Sequence, residues 1–479
     1  MNHTRLLLAA ALAALALLCL APPTTAQDTA PDAAASSAAV AAPESEAGPQ
    51  AAAAAAAAPQ MLILRSPLPW RPPRNPTTAP DTFPAPTCPG VDAGPPDAGP
   101  PEFEKLADTP YSDEDKVKMV NQTMEEVAAK RRELEEAFGN PTRAWAAYKA
   151  MYGLDFGNSD SEKYTTFQVN LRTWKGKNDE LAKQGDDTMA YGVTRFAHMT
   201  PEAFKALLLD PSLGRPITRP PGRRLLGGAG DGGSLDCGKY VDWSSSSSSP
   251  PSSWDWRAAG SITPVRNQGQ CGSCSNMAAT AAIENVWVRK WWGLGYRSWN
   301  TDLAEQDFLD CTKGDQCKGS WPDSVMDRYI CRGAAFESAL PYKAYDAGVY
   351  PCKPSSSLPR YNTGAKSFMY VPPGTGTLAR AVMKAPTVIG VDASNWQGLA
   401  AGWVRNCGEA NSGLNHGVAV VGWVDDVKMS NGQTWDYWII KNSWGTGFCN
   451  KGYLWVRKDC NGNGPYGMYT QNHWVPNKS

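Results

Sequence analysis

The C-terminal half of this 479-residue chain predicts an α+β fold, preceded by a smaller helical block. Three observations carry that reading. From Cys274 to about Trp292 there is no Gly or Pro, and Met277, Ala278, Ala281, Val286 and Val288 supply the apolar positions of one long helix. The C-terminal third instead reads as strands in VIGVDAS (388–394), HGVAVVGWV (416–424), WDYWIIKNSW (435–444) and GYLWVRK (452–458), with Gly and Asn turn signals between them. Upstream, residues 112–209 carry helical spacing and no cysteine. A helix-first half and a strand-rich second half leave a cleft between two lobes as the natural site.

Taken in order, the chain divides into five parts. Arg5, the apolar run Leu6–Ala21 and the small residues Thr24-Thr25-Ala26 form the three regions of a secretory signal peptide, residues 1–26. The run is shorter than the ~20 residues a spanning helix needs, so no membrane span is expected. The destination is the extracellular space, a lysosome or a vacuole. Residues 27–111 are an Ala/Pro-rich arm containing the tandem DAGPPDAGPP, expected to be disordered because it buries too little apolar surface. In 112–209, Ser112 is placed to cap a first helix that ends at Gly139-Asn140-Pro141; further helical stretches follow at about 142–184 and from Thr200. Residues 210–250, with PITRPPGRR, GGAGDGG and a serine run, read as a linker open to nicking. Residues 251–479 are the main domain, large enough for an ordinary core. A formal charge of −1 and only short basic runs argue against nucleic acid as a partner.

Export gives the cysteines meaning. Of twelve, Cys19 leaves with the signal and Cys88 and Cys237 sit in Pro/Gly-rich stretches, so nine remain between Cys271 and Cys460. In an oxidising compartment an odd number leaves one thiol outside the bridges. The pair in NQGQCGSCSNMAA (267–279) has three readings. A redox CxxC needs a βαβ setting that is missing here, and a zinc site with Cys311 and Cys317 has loose spacing. In the third reading Cys271 is bridged and Cys274 is free at a helix N-terminus, where the dipole and unpaired N–H groups favour thiolate. Such a nucleophile needs a base. Among His198, His416 and His473, His416 precedes a buried-type strand with Gly417 beside it and is the best placed.

Residues 251–479 resemble the papain family of cysteine peptidases, cathepsin L type, through PVRNQGQCGSC, LNHGVAVVGW and KNSWGTGF in that order. The resemblance implies a two-lobed papain-like fold, with a helical lobe, a β-rich lobe and the active-site cleft between them. It implies Cys274 as nucleophile and His416 as the base that forms a thiolate–imidazolium pair. Asn442 would orient the His416 ring, Trp444 would shield that bond, and Gln268 would help the Cys274 N–H bind the oxyanion. Cys271 would bridge Cys317, and Cys311 would bridge Cys352. Cys407 would bridge Cys460 or Cys449, with Cys331 in a further pair. By the same alignment Trp321, Pro322, Ala393 and Gly417 line the main substrate pocket, with Gln471 near its floor and an apolar P2 residue preferred. Ser320 stands where the family has a glycine that pairs with substrate backbone. No metal and no cofactor is implied. The partners are protein or peptide substrates, cystatin-like inhibitors and the chain's own propeptide.

That propeptide is similar to residues 144–209. AWAAYKAMYG is followed by Phe167, Asn170 and Asn178 at the spacing of the family's ERFNIN helix, although Lys163 stands for its arginine, Ser159 replaces its glutamate and Trp174 its isoleucine. GVTRFAHMT (192–200) resembles the next family stretch, with His198 where an acid is usual, which points to an altered pH of release. The family's tryptophan after the nucleophile is Ser275 here. The function expected is therefore a cysteine endopeptidase made as a zymogen. A peptide-binding homologue without activity and a Cys-His-Asn acyltransferase are the other classes consistent with parts of the pattern.

Overall fold

Phe103 and Ala107 are buried in a five-residue helix, α1 (Phe103–Ala107), so the ordered chain begins inside the stretch expected to be disordered. The computed structural model describes residues 101–209, 240–241, 243, 248–312, 315–343, 351–353, 356–408, 413–471 and 473–477; the signal segment, most of the arm and most of the linker lie outside them. Ser112 then opens α2 (Asp113–Gly139): its hydroxyl accepts from the Asp115 N–H at 3.2 Å, and the Asp115 carboxylate accepts from the Ser112 N–H at 3.2 Å. Asn140 closes α2 and its side chain caps α3 (Pro141–Tyr152), with Pro141 in the first turn. The stretch expected as one helical region at 142–184 is two helices. Gly153, at φ 62°, ends α3 in the left-handed conformation, and α4 (Asp160–Lys183) follows. A short strand β1 (Met189–Tyr191) and α5 (Pro201–Lys205) complete this block.

The C-terminal domain runs β2 (Tyr240–Val241), β3 (Ser253–Asp255), α6 (Cys274–Trp291), α7 (Glu305–Cys311), α8 (Pro322–Arg332), β4 (Ser367–Val371), α9 (Thr375–Lys384), β5 (Thr387–Val391), β6 (Leu399–Val404), β7 (His416–Lys428), β8 (Thr434–Lys441), β9 (Tyr453–Arg457) and β10 (His473–Asn477). Among the described residues the strands form one sheet in the order β1-β6-β9-β8-β7-β5-β10-β4-β2, with β3 also paired to β7. This is the α+β architecture expected.

Helix α6 is buried on every face from Cys274 to Arg289, and its polar residues Asn276, Thr280, Asn285 and Arg289 are hydrogen-bonded within that burial. Met277, Ile283, Val286 and Trp287 share one core with Leu309 of α7, Val325 and Met326 of α8 and Trp474 of β10. The second core joins Val418, Trp423, Trp438 and Leu454 of the sheet to Leu181, Phe196 and Phe204 of the upstream block. The upstream block is thus packed into the sheet lobe.

Two contacts seat that block. β1 pairs antiparallel with β6, Met189 opposite Gly402. The Trp174 indole lies against Gly398, where an added Cβ would fall 2.1 Å from its Nε1. The tryptophan that departs from the expected helix pattern is therefore accommodated by a missing side chain on the opposite surface. Gly398→Val, at a position without left-handed strain, is expected to unseat α4 and speed acid-triggered loss of the upstream block at least several-fold; timed gel analysis of the acidified chain measures this, and an unchanged rate would show that Trp174 is not a seating contact.

The bridges Cys271–Cys317, Cys311–Cys352 and Cys407–Cys460 are formed. Cys331 is also disulfide-bonded, with a partner outside the described residues. Among the described residues two thiols, Cys274 and Cys449, are free, not one. Counting only the nine cysteines of the main domain hid the second, because one of those cysteines pairs outside the set.

Candidate active site

Four elements meet where α6 begins. In the antiparallel pair β7–β8, Ala419 lies opposite Lys441, which sets the start of β7 beside the residues just after β8. His416 and Asn442 meet there, with His416 Nε2 and Asn442 Oδ1 2.8 Å apart. Asn442 Oδ1 also accepts from the Ser443 N–H at 2.8 Å. An amide oxygen only accepts, so the imidazole donates through Nε2 and carries its lone pair on Nδ1. Nδ1 is buried without a hydrogen-bond partner among the described residues. Trp444 stacks on the imidazole with ring centroids 4.6 Å apart at 27°.

Cys274 occupies the first position of α6, and its sulfur accepts from the Gly417 N–H at 3.2 Å. Gly417 is required by this approach: a Cβ there would lie 2.9 Å from Ser275 Oγ and 3.0 Å from Ser275 Cα. Gln268 is pinned from three directions. Its backbone N–H donates to the Ser443 carbonyl at 2.8 Å, its Oε1 accepts from Ser443 Oγ at 2.7 Å, and its Nε2 donates to the Cys271 carbonyl at 2.9 Å. One amide hydrogen of Gln268 is left to serve another acceptor.

Burial works against the charged form of both titrating groups in this arrangement. Cys274 is 1 % exposed and His416 2 %. Burial pushes the thiol up to about 11, although the Gly417 and Ser275 N–H groups and the Ser275 hydroxyl pull it down. Burial likewise pushes the imidazole down to about 4 against the raising effect of the Asn442 bond. Burial opposes the thiolate expected at the helix N-terminus, and the upstream block packs beside the pair. Phe196 and Phe204 of that block set their edges on Trp444 at 5.1 and 5.6 Å, and the Leu209 N–H donates to the Asn415 carbonyl at 2.6 Å.

Next to the pair lies a small open cavity. Ser320, Trp321, Pro322, Gly417 and Gln471 line it. Ala393 does not. It is buried in the core and its N–H donates to Asn415 Oδ1 at 2.9 Å. Gly390, three residues earlier on β5 and opposite Gly417, takes the wall position instead, with Gln471 Nε2 filling the space of its absent side chain. Leu414, Ser275 and Leu209 also line the cavity and were not anticipated. Counting the two-residue period of β5 against β7 would have found Gly390. Behind the pair, Lys441 is buried among Arg266, Glu284, Asp302 and Glu305, and burial pushes its amine down to about 8.

A helical lobe and a sheet lobe, a free thiol at the helix N-terminus between them, and a helical block laid across the junction define the fold of a thiol protease in proform. The family described as "Papain family cysteine protease" matches residues 250–473. Cysteine proteinase A of Leishmania mexicana is 30% identical over 317 residues, covering 65% of this chain and 79% of that one. Ananain of Ananas comosus is 30% identical over 329 residues, covering 65% and 81%. Digestive procathepsin L 3 of the Tenebrio molitor larval midgut superposes with a TM-score of 0.55 at 26% identity, over 70% of this chain and 98% of that one. The chain belongs to the papain family of cysteine proteases.

Proposed function

We propose that the chain is the zymogen of a cysteine endopeptidase in which Cys274, His416, Asn442 and Gln268 hydrolyse peptide bonds. The observation that carries this reading is the meeting of a free thiol, a singly oriented imidazole and a spare amide donor at one helix N-terminus. His416 Nδ1 takes the thiol proton, and the sulfur attacks the scissile carbonyl carbon. The oxyanion is held by the Cys274 N–H, which has no partner within the helix, and by Gln268 Nε2. The imidazolium then protonates the leaving amine, and water, deprotonated by the same nitrogen, releases the acid from the thioester. Asn442 keeps the ring in the tautomer both steps need, and Trp444 covers that hydrogen bond.

Trp321, Pro322, Leu414 and Ile389 make the cavity apolar enough for Leu, Val or Phe at P2. Leu209 supports this, since the chain's own prosegment sets a leucine in that lining. Disulfides and the N-terminal apolar segment support passage through the secretory route. Among the described residues no helix is long and apolar enough to cross a membrane.

On a Leu-P2 reporter peptide after acidification, Cys274→Ala and His416→Ala should abolish turnover. Gln268→Ala should lower kcat about 10²-fold, and Asn442→Ala should lower it by less than His416→Ala. Full activity in Cys274→Ala would overturn the assignment.

Release has its own titrating group. His198 Nδ1 lies 2.7 Å from the Tyr148 hydroxyl, and burial, with Lys163 and Arg195, pushes its pKa down to about 4 from 6.5. A histidine lowered on folding stabilises the packed block above the unfolded value, and that stability is lost as pH falls from about 6.5 towards 4. His198→Asn should therefore move the half-point of prosegment release to lower pH; an unmoved half-point in a processing titration would exclude His198 as the trigger.

A further inference from the structure

Residues 101–111 do not belong to the helices that cover the cleft, yet they bind the C-terminal domain closely. Phe103 is 3 % exposed and sets its ring edge-on against Trp292, with centroids 5.1 Å apart. The Glu104 carboxylate pairs with the Arg289 guanidinium, whose side chain is 2 % exposed. That guanidinium lies 4.3 Å over the Trp256 ring and donates to the Lys384 carbonyl at 2.8 Å. Asp108 bridges Trp254, and the Thr109 N–H donates to the Ser253 carbonyl at 3.0 Å, so the segment continues the sheet at the open edge of β3. Tyr111 donates to the Asp255 carboxylate and accepts from Arg257 at 3.1 Å.

The place is remote from the chemistry. Arg289 follows Cys274 by fifteen residues in α6, which at 1.5 Å per residue is about 22 Å along the helix. The groove has three features that select a ligand. It offers an apolar slot beside Trp292, a buried cation whose carboxylate partner among the described residues comes from the segment itself, and an unpaired strand edge. Removing the segment would leave Arg289 with the Asn285 side-chain oxygen and a backbone carbonyl in place of a counter-charge.

We propose that this groove is an exosite for an acidic peptide that presents an aromatic residue directly before a carboxylate on a short helical turn and then runs on as a strand, and that residues 101–111 are its resident ligand. The segment is a second anchor for the prosegment, independent of the cleft. Once the prosegment leaves, the groove is open to substrate or inhibitor segments of the same chemistry. Tethering explains how so short a ligand stays bound, because its effective concentration on the same chain is high.

The test uses the full chain carrying Cys274→Ala, so that no processing intervenes and the result does not depend on the catalytic assignment. A fluorescent peptide of residues 101–111 is titrated by anisotropy against this chain and against the same chain with Phe103→Ala, Glu104→Gln and Tyr111→Phe. The disabled chain should bind the peptide at least ten-fold more tightly than the intact one. A peptide carrying Glu104→Gln should bind at least ten-fold more weakly than the native peptide. Should the triple variant not fold, a chain with Glu104→Gln alone, which changes only a half-exposed carboxylate, gives the same comparison. Equal binding to both chains, or indifference to the Glu104 substitution, would overturn the exosite.

Discussion

The site depends on how closely the first turn of α6 approaches the first residues of β7. The Gly417 N–H reaches the Cys274 sulfur at 3.2 Å, and a side chain at 417 would strike the Ser275 backbone. This contact joins the two lobes at the thiol. It also places the pair, because the strand that brings the Gly417 donor brings His416 with it. The β7–β8 register then delivers Asn442, and the Ser443 backbone and side chain deliver Gln268. Ser275 fits this economy of space. A large ring after Cys274 has no counterpart here; a small hydroxyl lines the adjoining cavity.

The same burial that organises the pair silences it. A thiol and an imidazole ionise together only if the ion pair is solvated or supported by donors, and both groups are buried here. Phe196, Phe204 and Leu209 cover the ring face and the cavity while contributing no charge. On the proposed function, latency would be electrostatic as well as steric, and loss of the block would return water to both groups.

Much of this was legible in the sequence, for reasons that are local. Helix α6 and strands β5, β7, β8 and β9 were readable because their periodicity is uninterrupted and their ends carry turn residues. The cluster of Cys274, His416, Asn442 and Gln268 was readable because three motifs keep fixed order. What was missed depends on contacts between distant segments. α1 has five residues, too few to be stable alone, and is held by Arg289 and Trp292 far along the chain. Gly390 was mistaken for Ala393 because only the pairing of β5 with β7 sets which residue faces the cavity. The free Cys449 was hidden by a bridge that leaves the domain.

The central claim is that Cys274 is a competent nucleophile held neutral by its cover. The direct measurement is labelling of the full chain with an epoxysuccinyl thiol reagent, before and after acidification, with the adduct located by peptide mapping. The account predicts rapid modification of Cys274 only after acid release, on the order of 10²-fold faster than in the covered form, with Cys449 unmodified in both. Equally fast labelling of Cys274 in the covered chain at neutral pH, or none in the processed one, would contradict it.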